Sequence, residues 1–495
     1  MKHTLHALAA VLLVPLAALH AADESKLPTK PNIIYVLCDD LGYGDVHCLN
    51  PQRGKIATPH ADQLAAQGMM FTEAHGGSSV CTPSRYGIIT GRYAWRTKLQ
   101  AGVLDGNSPP LIDVDRLTVP KLLKEQGYHT GCIGKWHLGM TLPDAKRLTE
   151  PIQNGPITRG FDYFYGISAS LDMPPYAFIE NDRYTEAPTA TKQWIRKGSA
   201  APGFEAVDVL PTLTHKAVEY IDQHAAEKKP FFLYLALASP HTPIVPTKPW
   251  QGKSGLGAYG DFVMETDWAL GKLMEAIDQT GIADNTLVIF TSDNGCSPAA
   301  GVDKLEKQGH FPSTDRRGYK ADIWDGGHHI PFIARWPGVV KPGSACSQLT
   351  CLTDLMATCA DIAGIKLPDN AGEDSVSILP LFKGQDQSVR EVVVHHSING
   401  MFGLRQGNNK LIFGAGSGGW SKGSRDDGPI QLYDMAHDVG ERRNRQADAK
   451  ADFARLTQLM EKYITEGRST PGKPQKNDAT INLWKQGRPA PNTTE

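Results

Sequence analysis

Two pairs of hard oxygen donors, Asp39-Asp40 and Asp293-Asn294, each stand directly after an apolar run. Three carboxylates and an amide carbonyl suit Ca²⁺, with Mg²⁺ the alternative. Grouping such carboxylates without a cation costs mutual repulsion. A second set is Cys81-Thr82-Pro83-Ser84-Arg85. Pro83 is favourable in a helix's first turn, and Cys81 and Arg85, four apart, then share one face. A helix start with free N–H groups and an arginine fork is a site for a tetrahedral oxyanion. Lys135 and His137 follow the apolar run at residues 129–133, and His241 follows residues 231–238.

The elements that must position these groups are short apolar runs of buried-strand type at residues 32–38, 129–133, 231–238, 287–291 and 391–395. Helical patterns lie between them at 60–67, 117–126, 213–226 and 262–279. This alternation predicts an α/β fold: a large, mostly parallel sheet sandwiched by helices. In such sheets the ligand site lies at the carboxyl ends of the strands, which is where four runs deliver their acidic, cationic or imidazole groups. Residues 141–210 carry no clear periodicity and are expected as long loops over that edge. From about 391 two strand-like pieces, a Gly/Ser stretch at 414–424 and a helical face of Phe453, Leu456, Met460 and Tyr463 predict a smaller C-terminal α+β subdomain. The expected organisation is a signal peptide at 1–22, a catalytic domain at 23–390, and the subdomain at 391–495 with a loose tail after about 468.

Composition removes several classes. The 51 Lys+Arg and 53 Asp+Glu leave a net charge of −2, without the basic field of a nucleic-acid binder. Eight cysteines in 495 residues are too few for a disulfide scaffold. Lys2, the apolar stretch 5–19 and Ala21-Ala22 read as a secretory signal, too short to span a bilayer. The mature protein is therefore expected to be exported, to the periplasm or beyond, without stable membrane association.

Cys81-x-Pro-Ser-Arg85 with Thr90-Gly91 resembles the signature of type I sulfatases, in which the cysteine is oxidised to formylglycine. Gly134-Lys135-Trp136-His137-Leu138-Gly139 is similar to that family's second motif. The segments Pro31–Ile34, Asp39–Asp45, Ser239-Pro240-His241, Thr291–Gly295 and Lys320 ahead of Trp324–Gly327 are similar to others, in family order. The resemblance runs from about residue 31 to 434. It implies the alkaline-phosphatase-like fold, with Asp39, Asp40, Asp293, Asn294 and the modified Cys81 on Ca²⁺. It also implies that Arg85, Lys135, His137, His241 and Lys320 surround that residue and the sulfate, and that a formylglycine-generating maturation enzyme acts on the chain. One hydroxyl of the hydrated aldehyde would attack sulfur, giving a covalent sulfate–enzyme intermediate. His241, with Lys320 nearby, would protonate the leaving oxygen, and His137 would take the proton when sulfate is expelled.

Residues 160–183 resemble the cleft loop of carbohydrate sulfatases acting on galactose or N-acetylgalactosamine 6-sulfate. There Asp172 would accept hydrogen bonds from sugar hydroxyls, and Tyr176 or a neighbouring aromatic would cover a sugar's apolar face. The alternatives are a phosphonate monoester or phosphodiester hydrolase of the same superfamily, and a non-catalytic sulfated-glycan binder. Cys38 and Cys132 are expected in the core.

Overall fold

A run such as Ile33-Ile34-Tyr35-Val36-Leu37 is stable only with both faces covered, because successive side chains point to opposite sides. The computed structural model, which describes residues 30–424 and 427–485, meets that demand. Ile34 and Val36 enter one apolar layer with Leu64, Leu213, Ile221, Leu270 and Ile277. Ile33, Tyr35 and Leu37 enter the opposite layer with Ile88, Leu122, Leu123 and Met356. Removing a side chain as buried as Ile34 would cost about 2–5 kcal/mol. The expected signal segment, 1–22, lies outside the described residues.

Five parallel strands form the centre of a ten-stranded sheet, in the order Thr286–Ser292, Asn32–Cys38, Phe231–Ala236, His129–Lys135 and Tyr163–Ile167. Both flanks add antiparallel pairs, Phe332–Arg335 with Met69–Phe71 on one side and Ile179–Glu180 with Arg183–Tyr184 on the other. The sheet is thus mixed, with a parallel core. Helices Val209–Glu227 and Ala258–Gln279 cover one face, and Cys81–Thr90, Val119–Glu125 and Leu355–Ile362 the other.

The 141–210 region differs from its expectation as loop. It supplies three strands of the main sheet and a separate hairpin, Ala190–Gln193 with Lys197–Ala200. These pieces of two to five residues are too short to leave a readable period.

A second, four-stranded antiparallel sheet runs Val392–His396, Phe402–Gln406, Asn409–Ile412 and Gln431–Asp434. The helix Lys450–Glu466 packs on it through Leu456 and Met460. Residues 468–485 depart from the expected loose tail. Arg92 binds Asp478 and the Lys476 carbonyl, Arg96 binds Asn477, and Lys485 reaches the Gln100 carbonyl at 2.6 Å. Among the described residues no helix is long and apolar enough to cross a membrane.

Candidate active site

Each parallel strand ends in polar residues at one edge. Asp39 and Asp40 follow Asn32–Cys38, Lys135 closes His129–Lys135, and Asp293 and Asn294 follow Thr286–Ser292. His241 comes after Phe231–Ala236, and Lys320 arrives on a loop whose N–H is held by the Cys296 carbonyl. The helix Cys81–Thr90 begins at this edge and stops at Gly91, whose φ of 64° is the left-handed conformation that closes helices. Its first residue, Cys81, therefore sits among the strand ends.

The separations are short. Cys81 Sγ lies 3.6 Å from Asp39 Oδ1 and 3.5 Å from Lys320 Nζ. Lys135 Nζ is 2.6 Å from Asp39 Oδ2, and Lys320 Nζ is 2.6 Å from Asp40 Oδ1. Arg85 directs Nε and Nη2 to Asp293 Oδ2 at 3.0 and 2.8 Å. His241 Nε2 stands 3.6 Å from Asp40 Oδ2. His137 donates from Nε2 to the Leu104 carbonyl at 2.6 Å, leaving its buried Nδ1 without a partner. All ten residues expected here are buried and gathered in one place.

Burial alone would raise the Cys81 thiol, but Lys135 and Lys320 outweigh it and hold it below its ordinary value. Burial likewise opposes ionisation of Asp39, yet Lys135, His241 and Arg85 keep it well below the carboxylate range. Burial, reinforced by the Asp39 charge, pushes Asp293 well up. His241 is pushed down by burial and Lys320, but Asp40 and Asp39 prevail and bring it to about 9. His137 is held well below its ordinary value by burial and Lys135, so it is neutral.

This donor set fits a divalent cation. Asp39, Asp40 and Cys81 bring ligating atoms within 4.8 Å of one another, and a ring nitrogen of His241 lies within the same distance of them. The buried Asn294 Oδ1 has no hydrogen-bond partner, and its Nδ2 lies 2.8 Å from Asp40 Oδ1. An unsatisfied buried amide oxygen beside crowded carboxylates is what a hard cation would relieve.

Over residues 31–365 the chain matches the sulfatase family. It is 34% identical over 491 residues to the N-acetylgalactosamine-6-O-sulfatase of Bacteroides thetaiotaomicron, covering 90% of this chain and 95% of that protein. The chain belongs to the sulfatase family. It is a formylglycine-dependent, type I sulfatase, an enzyme that hydrolyses sulfate esters. This sulfatase is also 32% identical to human arylsulfatase A over 446 residues, covering 84% of this chain and 83% of that one. A structure from work on the metabolism of multiple glycosaminoglycans by Bacteroides thetaiotaomicron superimposes with a TM-score of 0.80 at 32% identity, over 88% of this chain and 99% of that one. Ps i-CgsB in complex with a neocarrahexaose gives a TM-score of 0.71 at 26% identity, over 90% and 95%.

The rim of the sulfatase site holds residues the sequence did not single out. Ser170 Oγ bridges Lys135 Nζ at 3.3 Å and His241 at 3.4 Å. It follows Tyr163–Ile167, a fifth strand whose carboxyl end would have been the signal. Asp172 is 7% exposed and lies 3.6 Å from Arg196 Nη2. Tyr176 is not where its expected role needs it. It is 1% exposed, packs edge-on against Trp194 at 4.8 Å, and bonds through its hydroxyl to the carbonyls of Asp172 and Arg196. A ring enclosed in this way offers no face to a sugar and serves as a pillar under the rim. The eight cysteines are all free, and Cys38 and Cys132 are fully buried in the core.

Proposed function

We propose that this sulfatase acts on a sulfated carbohydrate, at the 6-sulfate of galactose or N-acetylgalactosamine, after a maturation enzyme has converted Cys81 to formylglycine. The observation that carries the general chemistry is the position of Cys81, between two lysines and the Asp39 carboxylate. The sugar reading rests on the 160–183 loop and on similarity to a relative whose name is N-acetylgalactosamine-6-O-sulfatase. An exported enzyme, with residues 1–22 as its signal, suits a polysaccharide that cannot enter a cell intact.

Asp39, Asp40, Asp293 and Asn294 would hold Ca²⁺ together with residue 81. Bound there, the cation would supply Lewis acidity. Residue 81, as the hydrated aldehyde, offers a hydroxyl to sulfur from the start of its helix. Lys135 and Lys320 place fixed positive charge where the ester oxygens gather, in a buried site. His241, whose Nε2 stands 3.6 Å from Asp40 Oδ2, donates its proton to the leaving alcohol oxygen. His137 keeps Nε2–H on the Leu104 carbonyl, so its free Nδ1 lone pair takes the proton when the second hydroxyl collapses to aldehyde and expels sulfate. The aldehyde thus splits one displacement into two easier steps.

The reading is tested by rates on 2-, 4- and 6-sulfated galactosides beside 4-nitrophenyl sulfate and 4-nitrophenyl phosphate. A clear preference for the 6-sulfate is expected. Preference for a 2- or 4-sulfate refutes the sugar assignment, and faster phosphate cleavage refutes the sulfate preference.

A further inference from the structure

We propose that Arg196 is a specificity-determining residue that, with Asp172, clamps one free hydroxyl of the sugar bearing the scissile sulfate. This rests on the carbohydrate reading above. Arg196 lies in the turn between Ala190–Gln193 and Lys197–Ala200. Its backbone is fixed from beneath, because the single Tyr176 hydroxyl proton is shared between the Arg196 carbonyl at 2.5 Å and the Asp172 carbonyl at 3.0 Å. The Tyr176 N–H bonds the Ser199 carbonyl at 2.9 Å, tying the hairpin to the same pillar. Arg196 and Asp172 therefore hold a set spacing independent of their side chains.

That spacing leaves a gap. Arg196 Nη2 stands 3.6 Å from Asp172 Oδ2, beyond hydrogen-bond length, and Asp172 Oδ1 is buried with no hydrogen-bond partner. The arginine side chain is 51% exposed and so is free to adjust, whereas the Asp172 side chain is 10% exposed and is not. A hydroxyl answers both needs, accepting from the guanidinium and donating to the carboxylate, which neither a carbonyl nor an ammonium can do. The gap also lies beside the chemistry: Asp172 is two residues from Ser170, whose Oγ is 3.3 Å from Lys135 Nζ and 3.4 Å from His241. A group held there belongs to the same sugar as the reacting ester. A buried carboxylate oxygen left unpaired is costly, so a substrate without that hydroxyl is discriminated against.

The test is steady-state kinetics of wild type, Arg196→Ala and Arg196→Lys on N-acetylgalactosamine 6-sulfate, its monodeoxy analogues and 4-nitrophenyl sulfate. Arg196→Ala should raise KM for the sugar about tenfold or more, with kcat nearly unchanged. Arg196→Lys should recover part of the loss, and 4-nitrophenyl sulfate should not distinguish the three proteins. One deoxy analogue should be poor for wild type and no poorer for Arg196→Ala. An unchanged sugar KM, or equal losses on sugar and aryl sulfates, overturns the clamp. A wild type that prefers another sugar sulfate, with the Arg196→Ala loss intact, refutes the 6-sulfate reading and upholds the clamp. A wild type that cleaves aryl sulfate but no sugar sulfate refutes both.

Discussion

Two buried polar clusters lie in this molecule, and they treat charge in opposite ways. At the catalytic edge Asp39 and Asp40 stand against Lys135, Lys320, Arg85 and a cationic His241. At the junction of the two sheets His75, His328, His329 and His395 pack together, and burial pushes all four below their ordinary value, so they are neutral. Charge at the junction is confined to matched partners: Lys410 with Glu441 at 2.7 Å and Asp325 at 3.1 Å, and Arg405 with Glu73 at 2.7 Å. Three of the histidines bring ring nitrogens within 4.8 Å of one another. Yet the His328 and His395 rings stack 3.6 Å apart at 10°, so their in-plane lone pairs run side by side and do not converge. Charge is kept where a cation and an anionic ester must bind. Where two sheets only pack together, it is suppressed or paired.

The largest effect expected is at the catalytic edge. Asp293→Ala frees Arg85 and removes a proposed cation ligand, so metal content and turnover should fall together, turnover by about 10³-fold or more. Stoichiometric zinc in active enzyme would refute the Ca²⁺ assignment. Next, His241→Asn should lower kcat by about 10²–10⁴-fold on poor leaving groups and less on activated aryl sulfates, which need no proton. Equal losses on both would remove its role as acid.

At the junction the order of effects reverses. Lys410→Met leaves Glu441 and Asp325 without their cation and should cost about 3–5 kcal/mol of stability, with kcat at low temperature retained. A lost kcat with unchanged Tm would mean that the two clusters are one functional unit. The mildest effect is on pH. The junction histidines bind protons more readily unfolded than folded, so their contribution is present above about 6.5 and is lost as pH falls below it. Tm should drop between pH 7 and 5, and a Tm flat across that range would contradict the neutral assignment.

The catalytic edge was legible because residue type and place coincide there. Asp39, Lys135 and Asp293 lie at or just after strand ends, a position fixed by the local apolar pattern. Ser170 and Arg196 were not legible, since both depend on the path of short irregular strands. Tyr176 was misplaced for the same reason: an aromatic in a loop reads alike whether it faces a sugar or supports a hairpin. The tail after 468 seemed loose because its partners, Arg92 and Arg96, are nearly four hundred residues away in the chain.

The central claim is that residue 81 works as an aldehyde. Mass spectrometry of the peptide spanning Cys81, taken from enzyme with measured sulfatase turnover, tests it most directly. The account predicts a mass about 18 Da below that of the cysteine peptide, at an occupancy that tracks activity from one preparation to the next. Full turnover from a preparation whose residue 81 is unmodified cysteine would contradict it.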